Sequence, residues 1–375
     1  MRCEIGNLDI GRQSEGSPRF TLMHELAGRA LKRAARLSAD GRSVALVFGT
    51  VDFAELLLNW ACHALSLGVR WFLLVAMDTA LLTRLRAVPH MRKHLVLLPR
   101  LREGNATITK LNIIGERQRF GLQALEHGYN VVHSDADALW IRDPFPLFAA
   151  ADIVAERIWG KPLSVVKDWG AGICTGFYFL RSTPAVVALA QSVRTEVSKK
   201  RARQPSWQAS DQYYVNVMLH RYGVRWEGGK TMAGSQSMET RYFDSNATVG
   251  TAHTLHGTIR ILMLPHNVVP RACPMLSADE MKVLHHSRRN AVAYSDGRRQ
   301  IQQLRGKPRY WQHLLQTAHV LHCFPPEKKT AERRHIFMGH PEHTSAELAF
   351  ARRQGLWMLD ERTGDTRCRI RSPDQ

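Results

Sequence analysis

Two carboxylates spaced two residues apart, at the end of an apolar run, are the part of this sequence best suited to chemistry. Ser134-Asp135-Ala136-Asp137 follows closely on Tyr129-Asn130-Val131-Val132. Side chains alternate across a strand, so a strand ending in this way turns Asp135 and Asp137 to one side. Hard oxygen ligands so placed suit Mg²⁺ or Mn²⁺, and an ion held by only one or two carboxylates completes its shell with water and a substrate's phosphates. An Asp-x-Asp triplet is expected by chance about once in a chain this long, so the triplet takes its weight from its setting. The setting is a strand end, where open α/β sheets bind ligands, and it is closed by Trp140 and the sharp Arg142-Asp143-Pro144-Phe145 break. The competing reading is a solvated loop.

The elements that must hold this pair are legible in the periodicity. Ser43 to Phe48 reads as a first buried strand, Phe53 to Leu67 carries apolar residues at helical spacing, and Trp71 to Ala76 is a second strand. Thr79 to Leu85 reads as a short helix capped by Thr79, and Glu116 to Glu126 as a longer one stopped by Gly128. Asn130 to His133 is the strand that ends in the acids, and Ile153 to Ala155 and Phe177 to Leu180 complete the core strands. Alternation of this kind implies a parallel or mostly parallel sheet wrapped by helices. Pro184 to Val197, capped by Thr183, and Asp211 to His220 are further helices. Gly, Ser, Thr and Asn collect in a long connection from Gly228 to Gly257, Ile259 to Leu264 is a late strand, and Val320 to Phe324 a final one.

With 375 residues, 44% hydrophobic and 23% charged, the chain can bury a large core in one big domain or two. Its most apolar region, Leu56 to Leu82, is interrupted by Arg70 and Asp78, and Met1 to Gly16 lacks the apolar core of a signal peptide. The net charge of +19 makes nucleic-acid binding the rival from another class. Yet the basic residues are spread through Lys199-Lys200-Arg201, Arg298-Arg299, Lys328-Lys329 and Arg333-Arg334, without a zinc-finger, RNP or helix-turn-helix pattern. A positive surface also suits a diphosphate donor and an anionic acceptor or membrane face. The six cysteines contain no Cys-x-x-Cys, which argues against a zinc module, and no disulfide pairing is legible.

The ordered series Asn59-Trp60, Val75-Ala76-Met77-Asp78, Gly128-Tyr129-Asn130, Ser134-Asp135-Ala136-Asp137, Trp140, Arg142-Asp143-Pro144, Thr175-Gly176-Phe177, Arg181-Ser182-Thr183-Pro184 and Asp211-Gln212 resembles the nucleotide-diphospho-sugar transferases of glycosyltransferase family 77. Leu264-Pro265, Arg271-Ala272-Cys273 and Val320-Leu321-His322-Cys323-Phe324 extend the likeness. The resemblance implies a GT-A-type, Rossmann-like α/β fold: a mostly parallel sheet flanked by helices in a single large domain over 43–359. Residues 1–42 would be an N-terminal extension, 287–307 a surface insertion and 360–375 a C-terminal tail.

The same resemblance implies a retaining transfer of a sugar, a pentose or galactose, from a UDP-sugar to a glycan or glycoprotein acceptor. Asp135 would face the ribose or a metal-bound water, Asp137 would coordinate the ion, and His322 would be a further ligand or diphosphate contact. An imidazole favours Mn²⁺ over Mg²⁺. Lys328 or Lys329 would neutralise the leaving β-phosphate, and Asp78 and Gly176 would lie against the donor. Asp211 and Gln212 would line the reacting face of the sugar, Asp211 as nucleophile or as stabiliser of positive charge; a helix N-cap is the equal alternative for Asp211. Asp78 reads equally as a strand-end turn, and Gly170, Gly172 and Gly176 as a tight turn before Phe177. Trp140, Phe145 and Phe148 read as core rather than as sugar-stacking platforms.

The chain departs from the family pattern at Cys174, where Asn is usual, and at Arg117 or Arg119, where Lys is expected. The resemblance also implies a Golgi or endomembrane lumen. Membrane association would run through an anchor missing from this chain or supplied separately, which leaves a truncated, a soluble and a mis-started chain all open. An inactive nucleotide-sugar-binding protein of the same fold and a basic nucleic-acid-binding protein are the two alternatives in function.

Overall fold

A computed structural model describes residues 18–98, 110–158, 162–203, 210–227, 246–270, 318–322, 352, 358–360 and 367–368. The strands are β1 Ser43–Gly49, β2 Phe72–Ala76, β3 Leu95–Leu97, β4 Asn130–Ser134, β5 Ala138–Trp140, β6 Ile153–Ile158, β7 Gly172–Leu180, β8 Arg225–Trp226, β9 Thr248–Thr254, β10 Gly257–Leu264, β11 Val320–His322, β12 Leu359–Asp360 and β13 Arg367–Cys368. The helices are α1 Pro18–Ala35, α2 Ala54–Ser66, α3 Thr79–Arg86, α4 Lys110–Glu126, α5 Leu163–Trp169, α6 Pro184–Arg203 and α7 Asp211–Arg221.

Nine strands form one sheet in the order β3-β2-β1-β4-β7-β6-β10-β9-β8. The pairings orient seven of them one way, with β7 and β9 running against the rest. This is the mostly parallel, helix-flanked α/β sheet expected from the sequence. Alternation sorts the strands between two cores: Ala45, Val47, Phe72 and Leu74 pack with α2 and α3 on one face. Val44, Leu46, Leu73 and Val75 pack with α1, α4, α6 and α7 on the other. Buried on both sides, β1 and β2 are near-continuous apolar runs, as a central parallel sheet requires, whereas β4 buries the polar Asn130, His133 and Ser134 beside Val131 and Val132. Each fully buried Val or Leu contributes roughly 1.5–3 kcal/mol.

Several local readings change. Asp78, not Thr79, caps α3: its carboxylate accepts from the Leu81 N–H at 2.6 Å and from the Val51 N–H at 2.9 Å. An Asp just outside the first turn satisfies orphan amides that a Thr inside the helix does not reach. Gly172 and Gly176 lie within β7 rather than in a turn, whereas Gly170 ends α5 with φ 81°. The connection before Gly257 contains β9, which its small polar residues concealed. Helix α1, in the stretch expected as an extension, lays Ala27, Ala30, Leu31 and Ala34 onto the sheet. The expected insertion at 287–307 lies outside the described residues. Trp140 and Phe148 are buried core, as expected.

The C-terminal β12–β13 ladder is covalently fixed to α2 by the Cys62–Cys368 disulfide, across 306 residues of sequence. Asn59 adds a hydrogen bond from the Met358 N–H at 2.7 Å. A cross-link closing so long a loop is worth about 5 kcal/mol in the loop-entropy account. Cys368→Ser, or dithiothreitol on the native chain, is therefore expected to lower the thermal midpoint by several degrees. An unchanged midpoint would mean that the cross-link contributes nothing to global stability.

His94 precedes β3, 2% exposed, stacked on the Phe72 ring at 4.1 Å and bonded through Nδ1 to the Phe72 carbonyl. Burial, with Lys93, Arg70 and Arg33 nearby, pushes its pKa from 6.5 down to about 4. Between these values the unfolded chain takes up a proton that the folded chain refuses. Stability from this residue is thus complete above pH 6.5 and lost as pH falls toward 4, by about 3 kcal/mol. His94→Gln should flatten the pH dependence of denaturant unfolding across that window; a slope parallel to wild type would rule the assignment out.

Candidate functional site

The loop after β4 is held by aromatic packing before it does anything else. Trp60 and Trp140, both fully buried, lie edge to face at 5.0 Å. Both indole N–H groups donate to Ser134 Oγ, at 3.0 and 3.2 Å, and that of Trp60 also reaches the Ala138 carbonyl at 3.0 Å. A buried indole needs an acceptor, so two tryptophans fix Ser134 and with it the start of Asp135-Ala136-Asp137. The Asp135 N–H donates to the Gly176 carbonyl at 2.6 Å, tying the loop to β7.

Chain reversal at Asp135-Ala136-Asp137 leads into β5, which pairs antiparallel with β11 so that His322 stands opposite Ala138. This register delivers the late histidine to the acids. Nε2 of His322 lies 3.5 Å from Asp137 Oδ1 and 3.9 Å from Asp135 Oδ2, and Nδ1 lies 2.7 Å from Glu156 Oε2. Ligand atoms of Asp135, Asp137 and His322 all fall within 4.8 Å of one another. The His322 and Glu156 side chains are fully buried, while those of Asp135 and Asp137 are 22% and 13% exposed. The imidazole is the floor of the cluster and the carboxylates its solvent-facing rim.

Gly176 makes room for this arrangement. A Cβ there would stand 2.1 Å from His322 Cε1 and 2.8 Å from Asp135 Oδ2. Two carboxylates and an imidazole nitrogen closing on one point, with a glycine clearing the space beside them, fit a divalent cation by donor chemistry. Burial would hold the His322 pKa down, but Glu156 and Asp137 outweigh it and hold it well above the usual value. Burial raises the Asp135 pKa, and Asp137 adds to this against the opposing pull of Arg117. Crowded carboxylates of this kind are relieved by a cation.

A second cluster adjoins the first. Arg117 on α4 donates to Asp135 Oδ1 at 3.0 Å, to Thr175 Oγ1 at 3.4 Å and to Asp211 Oδ2. Thr175 Oγ1 lies 3.3 Å from Asp211 Oδ1. Asn216 sets the position of α7, accepting from the Ile173 N–H and donating to the Ile173 carbonyl, both at 2.7 Å. The cap of α7 is Ser210, whose Oγ accepts from the Tyr213 N–H at 3.2 Å, so the N-cap reading of Asp211 does not hold. Asp211 is 2% exposed and points inward to Arg117. Beneath this pair, His133 stacks on Tyr178 at 5.0 Å. Burial and Arg117 press its pKa well below the ordinary value, so His133 is neutral.

Of the residues singled out from sequence, the structure thus gathers Asp135, Asp137, Gly176 and His322, and joins Asp211 to them through Arg117. Gln212 follows Asp211 on α7, half-buried. Asp78 lies on the same sheet edge two strands over, with its carboxylate engaged by the Val51 and Leu81 amides. Lys328 and Lys329 lie outside the described residues. Sequence reasoning passed over Glu156 and gave Arg117 only as a departure from a family pattern. The one available signal for Glu156 was an acid inside the apolar strand Ile153-Val154-Ala155-Glu156.

Two acids and an imidazole thus meet at the strand edge of a mostly parallel α/β sheet. The nucleotide-diphospho-sugar transferase family model matches residues 67–293, and the chain belongs to that family. It is 26% identical over 182 residues to beta-arabinofuranosyltransferase RAY1 of Arabidopsis thaliana, covering 46% of this chain and 33% of that protein. Against arabinosyltransferase XEG113 of the same plant it is 26% identical over 187 residues, covering 46% and 27%. The match therefore spans about a third or less of those relatives' lengths. Among solved structures, an active-site mutant of LgtC matches with 11% identity and a TM-score of 0.39, over 82% of this chain and 95% of that one.

Proposed function

We propose that this chain is a retaining glycosyltransferase that moves a sugar from a UDP-sugar to a glycan or glycoprotein acceptor. Asp135, Asp137 and His322 would hold a divalent cation, Mn²⁺ in preference to Mg²⁺. The observation that carries the reading is the convergence of these three residues within 4.8 Å, from segments almost two hundred residues apart, in a chain of this family. The arabinosyltransferase names of two relatives support a pentose donor, with galactose as the alternative.

Cleavage of the anomeric C–O bond would send charge onto the diphosphate, and a cation held by Asp135, Asp137 and His322 would supply positive charge to stabilise it. The chain's own residues orient what that charge acts upon. Arg117 locks Asp135 on one side and Asp211 on the other, so neither carboxylate must reorganise when charge develops. Ion-paired and buried, Asp211 is better suited to stabilising positive charge at the anomeric carbon than to attacking it. Asp78 would contribute at the nucleotide end of the edge, Gln212 beside Asp211 at the sugar's reacting face, and Lys328 or Lys329 at the leaving phosphate.

The Cys62–Cys368 disulfide supports an oxidising compartment such as an endomembrane lumen. Among the described residues no helix is long and apolar enough to cross a membrane.

A donor-hydrolysis screen across UDP-pentoses and UDP-hexoses, with and without Mn²⁺, tests the proposal. Mn²⁺-dependent release of UDP from one or two donors is the expected result. UDP binding with neither hydrolysis nor transfer would favour an inactive binding protein. Salt-sensitive RNA or DNA binding that UDP leaves unchanged would favour the nucleic-acid alternative.

A further inference from the structure

We propose that Glu156 is a positioning residue for the acid–imidazole cluster. Its carboxylate holds the His322 ring with Nε2 toward Asp135 and Asp137, and so sets the cluster's affinity for a divalent cation. The inference rests on the metal reading above and adds to it a residue that touches neither the rim of the site nor the solvent.

Three observations carry it. Glu156 is 0% exposed in the middle of β6, and a wholly buried carboxylate costs several kcal/mol unless a partner offsets it. Its Oε2 stands 2.7 Å from Nδ1 of His322, a ring that is itself fully buried. An imidazole whose Nδ1–H is committed to a carboxylate directs its Nε2 lone pair the other way and becomes a more basic ligand. Here the other way is toward Asp137 Oδ1 at 3.5 Å.

The third observation is in the sheet. The β6–β7 ladder runs Ala155↔Tyr178 and then Glu156↔Cys174, a register shift that leaves Thr175, Gly176 and Phe177 without partners on β6. Bulges re-aim side chains next to functional sites. This one puts Thr175 on the Arg117–Asp211 pair and Gly176 against the face of His322, while Glu156 keeps its place behind the ring. The irregularity falls between the strand that supplies the carboxylate and the strand that clears space for the ring. A purely structural buried acid would need no such correlation.

The test is Mn²⁺ affinity, read from the electron paramagnetic resonance signal of free Mn²⁺ during titration of the full chain with UDP present. Wild type, Glu156→Gln, His322→Ala and the double variant form a cycle, with thermal unfolding measured without metal. Glu156→Gln keeps shape and hydrogen-bonding capacity but removes the charge, and should weaken Mn²⁺ binding about 10- to 100-fold. In the His322→Ala background the same change should have no further effect, because Glu156 acts through the ring. An unchanged Kd in Glu156→Gln, or an equal loss with and without His322, overturns the inference while leaving the metal reading in place. A wild-type chain that binds no Mn²⁺ overturns both. If Glu156→Gln does not fold, Glu156→Asp withdraws the carboxylate by one methylene and keeps its charge. It should weaken binding in the same direction, and an unchanged Kd there also refutes the role.

Discussion

Asp137→Ala is expected to reduce Mn²⁺-dependent donor hydrolysis by roughly 10³-fold, with folding retained. Asp137 contributes one of the two carboxylates on the rim, with its Oδ1 3.5 Å from His322 Nε2. Removing it leaves Asp135, which is already shared with Arg117, as the remaining acid of the trio. On the proposed reading a cation would then have fewer fixed anionic ligands and would hold the diphosphate less firmly. Stability should change little, because the side chain lies at the solvent-facing rim and His322 keeps Glu156. Steady-state hydrolysis and thermal unfolding of the two proteins settle the matter. Turnover equal to wild type would remove Asp137 from the mechanism.

Gly176→Ala should be almost as damaging for a different reason. The new methyl carbon would lie 2.1 Å from His322 Cε1 and 2.9 Å from its Nε2, far inside contact distance. The ring cannot simply retreat, because it is fully buried and bonded to Glu156 on its far side. Either β7 shifts or His322 leaves its place between the acids. Overpacking of this sort costs about 1–3 kcal/mol in stability, and displacement of the imidazole should weaken Mn²⁺ binding by at least about 10-fold. A fall in both the thermal midpoint and Mn²⁺ affinity is expected. Normal affinity with normal stability would show that the site tolerates the methyl and that the glycine has no steric role.

These two substitutions also separate what was legible from what was not. Asp137 could be singled out because its chemistry is local: two acids two residues apart gain their weight from the apolar run and the sharp break on either side of them, all within one short segment. The core strands around it were equally plain, since Ser43 to Gly49 and Phe72 to Ala76 are apolar on both faces. Gly176 was offered as a donor contact or as part of a tight turn before a strand, and neither reading involves His322. Its reason for being glycine is a histidine that arrives from 146 residues later in the chain, through the β5–β11 pairing.

Helix ends were misread where one residue decided them. Asp78 and Ser210 cap where Thr79 and Asp211 were candidates, because capping depends on which side chain can turn back to a free amide. The freed Asp211 carboxylate then turns inward to Arg117, a pairing across 94 residues that no local pattern encodes.

The sequence by itself determined the class of sheet and most of the strands and helices at its centre, and offered Asp135 and Asp137 as candidates, because burial periodicity and ligand type are properties of short segments. Tertiary structure alone decided that His322 faces those acids, that Glu156 stands behind it, that Arg117 couples Asp135 to Asp211, and that Cys62 meets Cys368. Each of these depends on strand order, register or one bulge. A single step of register turns a side chain to the opposite face of a sheet, so contacts of this kind exist only once the whole sheet has closed.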